Sequence, residues 1–166
     1  MPDTLVNNFI RQINELENGS LWFDQSLRGK LNDLGDPVAF ERPLPNLHTV
    51  AEHVSHMLEW RKECMLRFSG GKKELMHSAE DWKDNSQLKA IGWQQLKKEL
   101  FESSKSMIQL IEGRDDSYLD TVFRDSGYTF KYLIEGIIQH DIYHLGQIGI
   151  VLKLIHSTKA EAGKEQ

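Results

Sequence analysis

Apolar residues recur at helical spacing through four long stretches of the chain, and no stretch alternates as a half-buried strand would. Leu5, Val6, Phe9, Ile10, Ile13 and Leu16 share one face of a first helix, with Asp3 as its N-cap and Asn18-Gly19-Ser20 as its end. Trp22, Phe23, Leu27, Leu31 and Leu34 predict a second, shorter helix that stops at Gly35. Pro37, Pro43 and Pro45 make residues 36–46 a loop, because proline blocks helix continuation. Asn46 is the expected N-cap of a long helix running to about Phe68 and closed by Gly70-Gly71. Val50, Val54, Met57, Leu58, Met65 and Phe68 form its inward face. A connection follows, anchored on the helices by Trp82. Ser86 then opens a further long helix through Ile91, Leu96, Leu100, Met107, Leu110 and Ile111 to Gly113.

Residues 114–129 read as irregular, with one short turn or strand around Tyr128-Thr129-Phe130. The last helix spans Lys131 to Ile155, carrying Leu133, Ile137, Ile148, Val151 and Ile155 inward, and residues 157–166 read as a flexible tail. The pattern predicts one all-α domain over residues 1–156, a four-helix bundle with long connections and a short extra helix.

Composition narrows the function classes. Hydrophobic residues make up 39% of the 166 and charged residues 27%, which is the balance of a folded chain. The formal net charge of -5 supplies no basic stripe to neutralise phosphates, so nucleic acid is not an expected partner. No apolar run is long enough to span a bilayer, and Met1 to Ile10 has neither the basic nor the apolar segment of a signal peptide. The expected location is cytoplasmic. Cys64 is the single cysteine, sits in an apolar helical register and reads as a small buried hydrophobe.

The candidate chemistry lies in the last helix, at Gln139-His140-Asp141-Ile142-Tyr143-His144-Leu145-Gly146-Gln147. His140 and His144 fill a gap in the apolar stripe, four residues apart on one face, so two imidazoles stand one turn above each other. Two inward imidazoles need several partners, and one cation satisfies both. The spacing is also that of the zinc-peptidase H-E-x-x-H, but Asp141 stands where the catalytic Glu belongs. A zinc site needs at least a third protein ligand. His77 lies in a polar loop and His156 near the chain's end, which leaves His48, His53 and His56. At about 100° per residue, His53 falls inside the arc of Val50, Val54 and Met57, with His56 at its edge. Periodicity leans to His53 and leaves the choice open. Glu52 and Glu59 are nearby carboxylates able to accept an imidazole or substrate proton.

The run Thr49 to Arg61 resembles the second-helix signature of the DinB-like (YfiT-like) bundle proteins, in which a Ser/Thr-aliphatic start precedes the metal-binding histidine by seven residues. His140 to Ile148 is similar to that family's last-helix motif, and Arg42-Pro43 before His48 matches one of its branches. The resemblance implies His56, His140 and His144 as metal ligands, with His53, His48, Tyr143 and Gln147 lining the cleft and Glu52 or Glu59 handling protons. It also implies a divalent cofactor, zinc or nickel first, with iron or copper also compatible with three nitrogens. The implied activity is a metal-dependent enzyme that activates a low-molecular-weight thiol, as an S-transferase, or water, as a hydrolase. A small molecule and a second copy of the chain, as a homodimer, are the expected partners. The alternative is a non-catalytic stress-response or assembly module whose ion only staples the helices.

Overall fold

A computed structural model describes residues 4–124 and 126–162, the last two of these in backbone only. The described residues form eight helices and no strand. Four are long: α1 (Leu5–Asn18), α4 (Val50–Phe68), α6 (Trp93–Ile111) and α8 (Phe130–Ala162). Four are short: α2 (Leu27–Leu31), α3 (Asp36–Ala39), α5 (Asn85–Ile91) and α7 (Asp116–Leu119). Both α1 and α4 pack against both α6 and α8, so the long helices close a ring of contacts consistent with a four-helix bundle. No described helix is long and apolar enough to cross a membrane.

The helix ends differ from the sequence expectations where local hydrogen bonding overrides periodicity. Thr4 caps α1, its hydroxyl accepting from Asn7 N at 3.2 Å; the expected cap, Asp3, lies outside the described residues. The carboxylate of Asp116, at the start of α7, accepts from Leu5 N and Val6 N at 2.9 and 3.0 Å and so meets the positive end of α1 from far along the chain. At α4 the cap is Thr49 rather than Asn46. The Thr49 hydroxyl accepts from Glu52 N and the Glu52 carboxylate accepts from Thr49 N, at 3.1 and 2.9 Å, a reciprocal capping box that Asn46 has no partner to build.

The expected second helix shrinks to α2, which Ser26 caps, and leaves Trp22 and Phe23 exposed. The expected loop at 36–46 begins with α3, because Pro37 sits in a first turn, where its missing N–H costs nothing. Asp84, not Ser86, opens the next segment, and Gly92 at φ +90° divides it into α5 and α6. That break turns the fully buried Trp93 inward, where its Nε1 donates to Leu34 O at 2.6 Å. The irregular stretch after Gly113 contains α7 and an isolated bridge between Val122 and Thr129. Helix α8 runs past the expected end of the domain through Ala162; residues 163–166 of the expected tail lie outside the described residues.

The apolar core falls into two clusters. One gathers Leu27, Leu31, Val54, Met57, Leu96, Leu100, Leu145 and Ile148; the other gathers Phe9, Ile13, Cys64, Met107, Ile111, Leu133, Ile134 and Ile137. They part at the same level on three helices: between Leu58 and Cys64 on α4, Phe101 and Met107 on α6, and Ile138 and Leu145 on α8. Polar side chains occupy this level. Arg61, 2% exposed, donates from Nε to Asp141 Oδ2 at 2.8 Å, and from Nη1 to Leu100 O, Ser103 Oγ and Ser104 Oγ at 2.9–3.0 Å. One guanidinium thus ties α4 to α6 and α8.

Breaking a buried pair leaves a bare ion inside, whereas replacing both partners with apolar groups does not. Arg61→Met is therefore expected to lower unfolding free energy by about 3–5 kcal/mol, and Arg61→Met with Asp141→Leu by much less. Urea denaturation of the two variants checks this; a single variant as stable as the parent would remove the pair from its structural role.

Candidate metal centre

The capping box starts α4 at a point that carries His53 and His56, 3 and 6 residues beyond Val50, to the turns just before the polar level of Arg61, and both rings are buried. On α8, His140 and His144 stand one turn apart with ring centroids 4.4 Å apart. The His56 centroid lies 5.0 Å from that of His140 and 4.6 Å from that of His144. One ring nitrogen from each of His56, His140 and His144 lies within 4.8 Å of the other two. Nε2 of His56 and Nε2 of His140 are 3.1 Å apart.

The proton positions follow from the neighbours. His56 Nδ1 is 2.9 Å from the Asp81 carbonyl oxygen and 3.0 Å from its Oδ1. Both oxygens only accept, so Nδ1 carries the proton and Nε2 of the neutral ring is a bare lone pair. His140 Nδ1 is buried without a partner, 3.8 Å from Asp141 Oδ1, which is also buried without one. A lone pair on Nδ1 would face that carboxylate oxygen, whereas a proton there is attracted to it; Asp141 therefore favours a bare Nε2 on His140 as well. Either one proton or one cation fits between two nitrogens 3.1 Å apart. Bonds of about 2.0–2.1 Å at tetrahedral angles place zinc-bound nitrogens about 3.3 Å apart, close to this spacing.

The rings are also held neutral. Burial, then the neighbouring imidazoles of His140, His56 and His53, pushes His144 down to about 3. Burial likewise takes His53 down to about 4, with His48 and His56 adding to it, and it lowers His56 against the opposing pull of Asp81. Neutral imidazoles are the form that binds a metal. The residues present fit a divalent cation.

His53 stands behind the cluster, its Nδ1 3.3 Å from Nδ1 of His144. A His144 that offers Nε2 to an ion donates its Nδ1 proton to His53. Trp82 lies between two imidazoles, stacked on His48 at 3.8 Å and on His56 at 3.9 Å. His48 is half exposed, with Nδ1 3.2 Å from Glu52 Oε2. Both oxygens of Glu52 are engaged, one by Arg42 and the other by Thr49 N and His48. Glu59 is bound by Lys83 and Lys62 at 2.8 and 3.2 Å; burial raises its carboxyl, but these ammonium groups outweigh burial and hold it below the ordinary range. Tyr143 is 62% exposed, its ring 5.0 Å from that of His144, and its hydroxyl accepts from Gln147 Nε2 at 3.0 Å. Gln147 Oε1 is buried without a partner. Cys64 is buried at the wall of the hollow that reaches His140, and its thiol is pushed up to about 12 by burial, which keeps it protonated. His156 is exposed.

The roles of four residues here escape sequence reasoning. Asp81 and Trp82 belong to the non-periodic connection before α5; Trp82 is the expected anchor of that connection, but no spacing reveals that it stacks on His48 and His56. Trp60 donates to Asp81 Oδ1 at 2.9 Å and so fixes the carboxylate that orients His56. Arg61 had a signal: it lies at helical spacing from Met57, Leu58 and Met65, a charge on an apolar face that demands a buried partner. That partner is Asp141, whose Oδ2 is taken by Arg61 while its Oδ1 stands 3.8 Å from His140 Nδ1, so the peptidase analogy loses a free general base.

A family model described as the DinB superfamily matches residues 24–148, from the segment before α2 to the middle of α8. That span includes all four clustered imidazoles with Arg61 and Asp141. No curated protein and no solved structure matches the chain.

A histidine kept neutral by burial costs stability when the unfolded chain can protonate. Above the unfolded value of about 6.5 nothing is lost; as pH falls toward 4 the unfolded state takes up protons that His53 and His144 refuse. The metal-free protein is expected to lose on the order of 4 kcal/mol between pH 7 and 5, about half from each ring, and His53→Gln with His144→Gln should flatten the profile. Urea midpoints across that range check it, and equal slopes for parent and variant would contradict neutral buried rings.

Proposed function

Because the chain belongs to the DinB superfamily, we propose that it is a metal-dependent enzyme whose His56, His140 and His144 hold one divalent ion for activation of a small-molecule thiol or water. The observation that carries this reading is the meeting of His56 Nε2 and His140 Nε2 at 3.1 Å, completed by a ring nitrogen of His144 within 4.8 Å of both. An ion held by three neutral imidazoles keeps its full charge and supplies Lewis-acid chemistry that lowers the pKa of a water or thiol bound to it. Zinc and nickel suit such a nitrogen set, and iron and copper are compatible with it.

The chain's own residues divide the remaining work. Asp81 holds the His56 ring in the tautomer that presents Nε2, and Trp60 holds Asp81. Asp141, fixed by Arg61, does the same for His140. Trp82 covers the His56 face and excludes water from that side. Gln147, one turn beyond His144, interacts with that ring through its side chain and helps to orient it. The cluster offers three ligands where a structural zinc site takes four, and a hollow of about 240 Å³ reaches His140. Both features support an exchangeable position over a closed structural staple.

Protein prepared without a histidine tag is expected to carry about one equivalent of metal per chain, falling below about a tenth of that in His56→Ala and His140→Ala while His156→Ala keeps it. Elemental analysis checks this, and metal content unchanged in His140→Ala would sink the ligand assignment. Chelation should lower the melting temperature by only a few degrees; wholesale unfolding would instead mark the ion as structural.

A further inference from the structure

Two hollows meet beside the imidazole cluster. The first, about 240 Å³, is walled by Trp60, Tyr132, Leu133, Ile137 and His140. Its ionic members, Glu63 and Arg67, neutralise each other through an Nε to Oε1 bond of 2.7 Å, and the other Glu63 oxygen accepts from Lys73 N. The second, about 510 Å³, shares Trp60 and Arg67 with the first and adds Lys72, Lys73 and Arg124. The cleft is thus apolar and aromatic next to His140 and cationic at its far end, on a chain whose formal net charge is -5.

Two details point to use of this space. Gly136 stands on α8 one turn from Tyr132 and one turn from His140, and a Cβ placed there meets no atom within 4 Å. A helical interior disfavours glycine, and here its missing side chain leaves the hollow open. Arg124, with φ +49°, holds the left-handed backbone that arginine rarely adopts, and among the described residues no ion pair engages it. The lysines beside it have acidic neighbours, Glu74 for Lys72 and Glu80 for Lys73, in exposed pairs that hold little energy and exchange readily for another anion.

We propose that this cleft receives an amphiphilic anion, with an alkyl or aryl body against Trp60, Leu133 and Ile137 and a carboxylate or phosphate head at Lys72, Lys73 and Arg124. The assignment names the substrate class for the reaction proposed above. It rests on that reading for the chemistry and not for the binding.

The test uses metal-stripped protein, so that the head group cannot report on an ion at the imidazoles. Calorimetric titration with octanoate, octyl phosphate and octanol separates body from head. Both anions are expected to saturate the site at least tenfold more tightly than octanol, and their ratio identifies the preferred head. Lys72→Ala with Arg124→Ala should weaken both anions about tenfold and leave octanol unchanged. Gly136→Leu, which places a side chain in open space and favours the helix, should abolish binding of all three with the melting temperature kept or raised. Octanol as tight as the anions, no binding of any ligand, or anion affinity untouched by either variant would overturn the proposal. Metal content measured on the same preparations keeps the two readings apart: a parent protein that binds no metal yet discriminates octanoate from octanol removes the reaction and keeps the cleft, and the reverse result removes the cleft alone.

Discussion

The buried ion pair between Arg61 and Asp141 sets the axial register of α4 against α8. An arginine 2% exposed cannot be left without acceptors, and its five donors are distributed in a fixed fork. Asp141, Leu100 O and the hydroxyls of Ser103 and Ser104 meet that fork from two other helices, so sliding either helix by one turn would strand the charge. Five residues before Arg61 comes His56, and immediately before Asp141 comes His140. Whatever fixes the ion pair also fixes the distance between those imidazoles. The division of the apolar core into two clusters is the same fact seen from the hydrophobic side.

The imidazoles pose an electrostatic problem that the surrounding structure resolves in stages. Burial disfavours protonation of His53, His56 and His144, and neighbouring imidazoles add to it. Neutral rings still need a proton on one nitrogen each and a partner for the other. Asp81 satisfies one nitrogen of His56, His53 satisfies one of His144, and Asp141 leans toward one of His140. The nitrogens left over face one another. A stabilising core would not be built this way, which is why the layer reads as a site rather than as packing.

Trp82 and the cleft belong to the same logic. The indole closes one face of His56 with the connection between α4 and α5, while α8 leaves the His140 side open beside Gly136. Solvent is excluded where orientation matters and admitted where a ligand must enter. The concentration of cations at the outer end, against an acidic average surface, gives the opening a polarity that the net charge conceals.

Helix identity and class were legible in the sequence because hydrophobic periodicity is local: α1, α4, α6 and α8 each carry their stripe within a few turns. The pairing of His140 with His144 was legible for the same reason, since four residues on one helix fix their own separation. The choice between His53 and His56 was not. His53 lies inside the inward arc and His56 at its edge, and which one reaches both rings of α8 depends on the rotation of α4 that Arg61 and the Thr49 cap impose. Resemblance to a family pointed to His56, and the geometry shows why: His53 meets only His144, whereas His56 reaches both rings. Asp81, the stacking of Trp82 and the break at Gly92 were hidden because a connection without period leaves no trace of where it returns. One helix face suffices to bring two imidazoles together; a third from another helix joins them only once the core has decided how the helices turn and slide against each other.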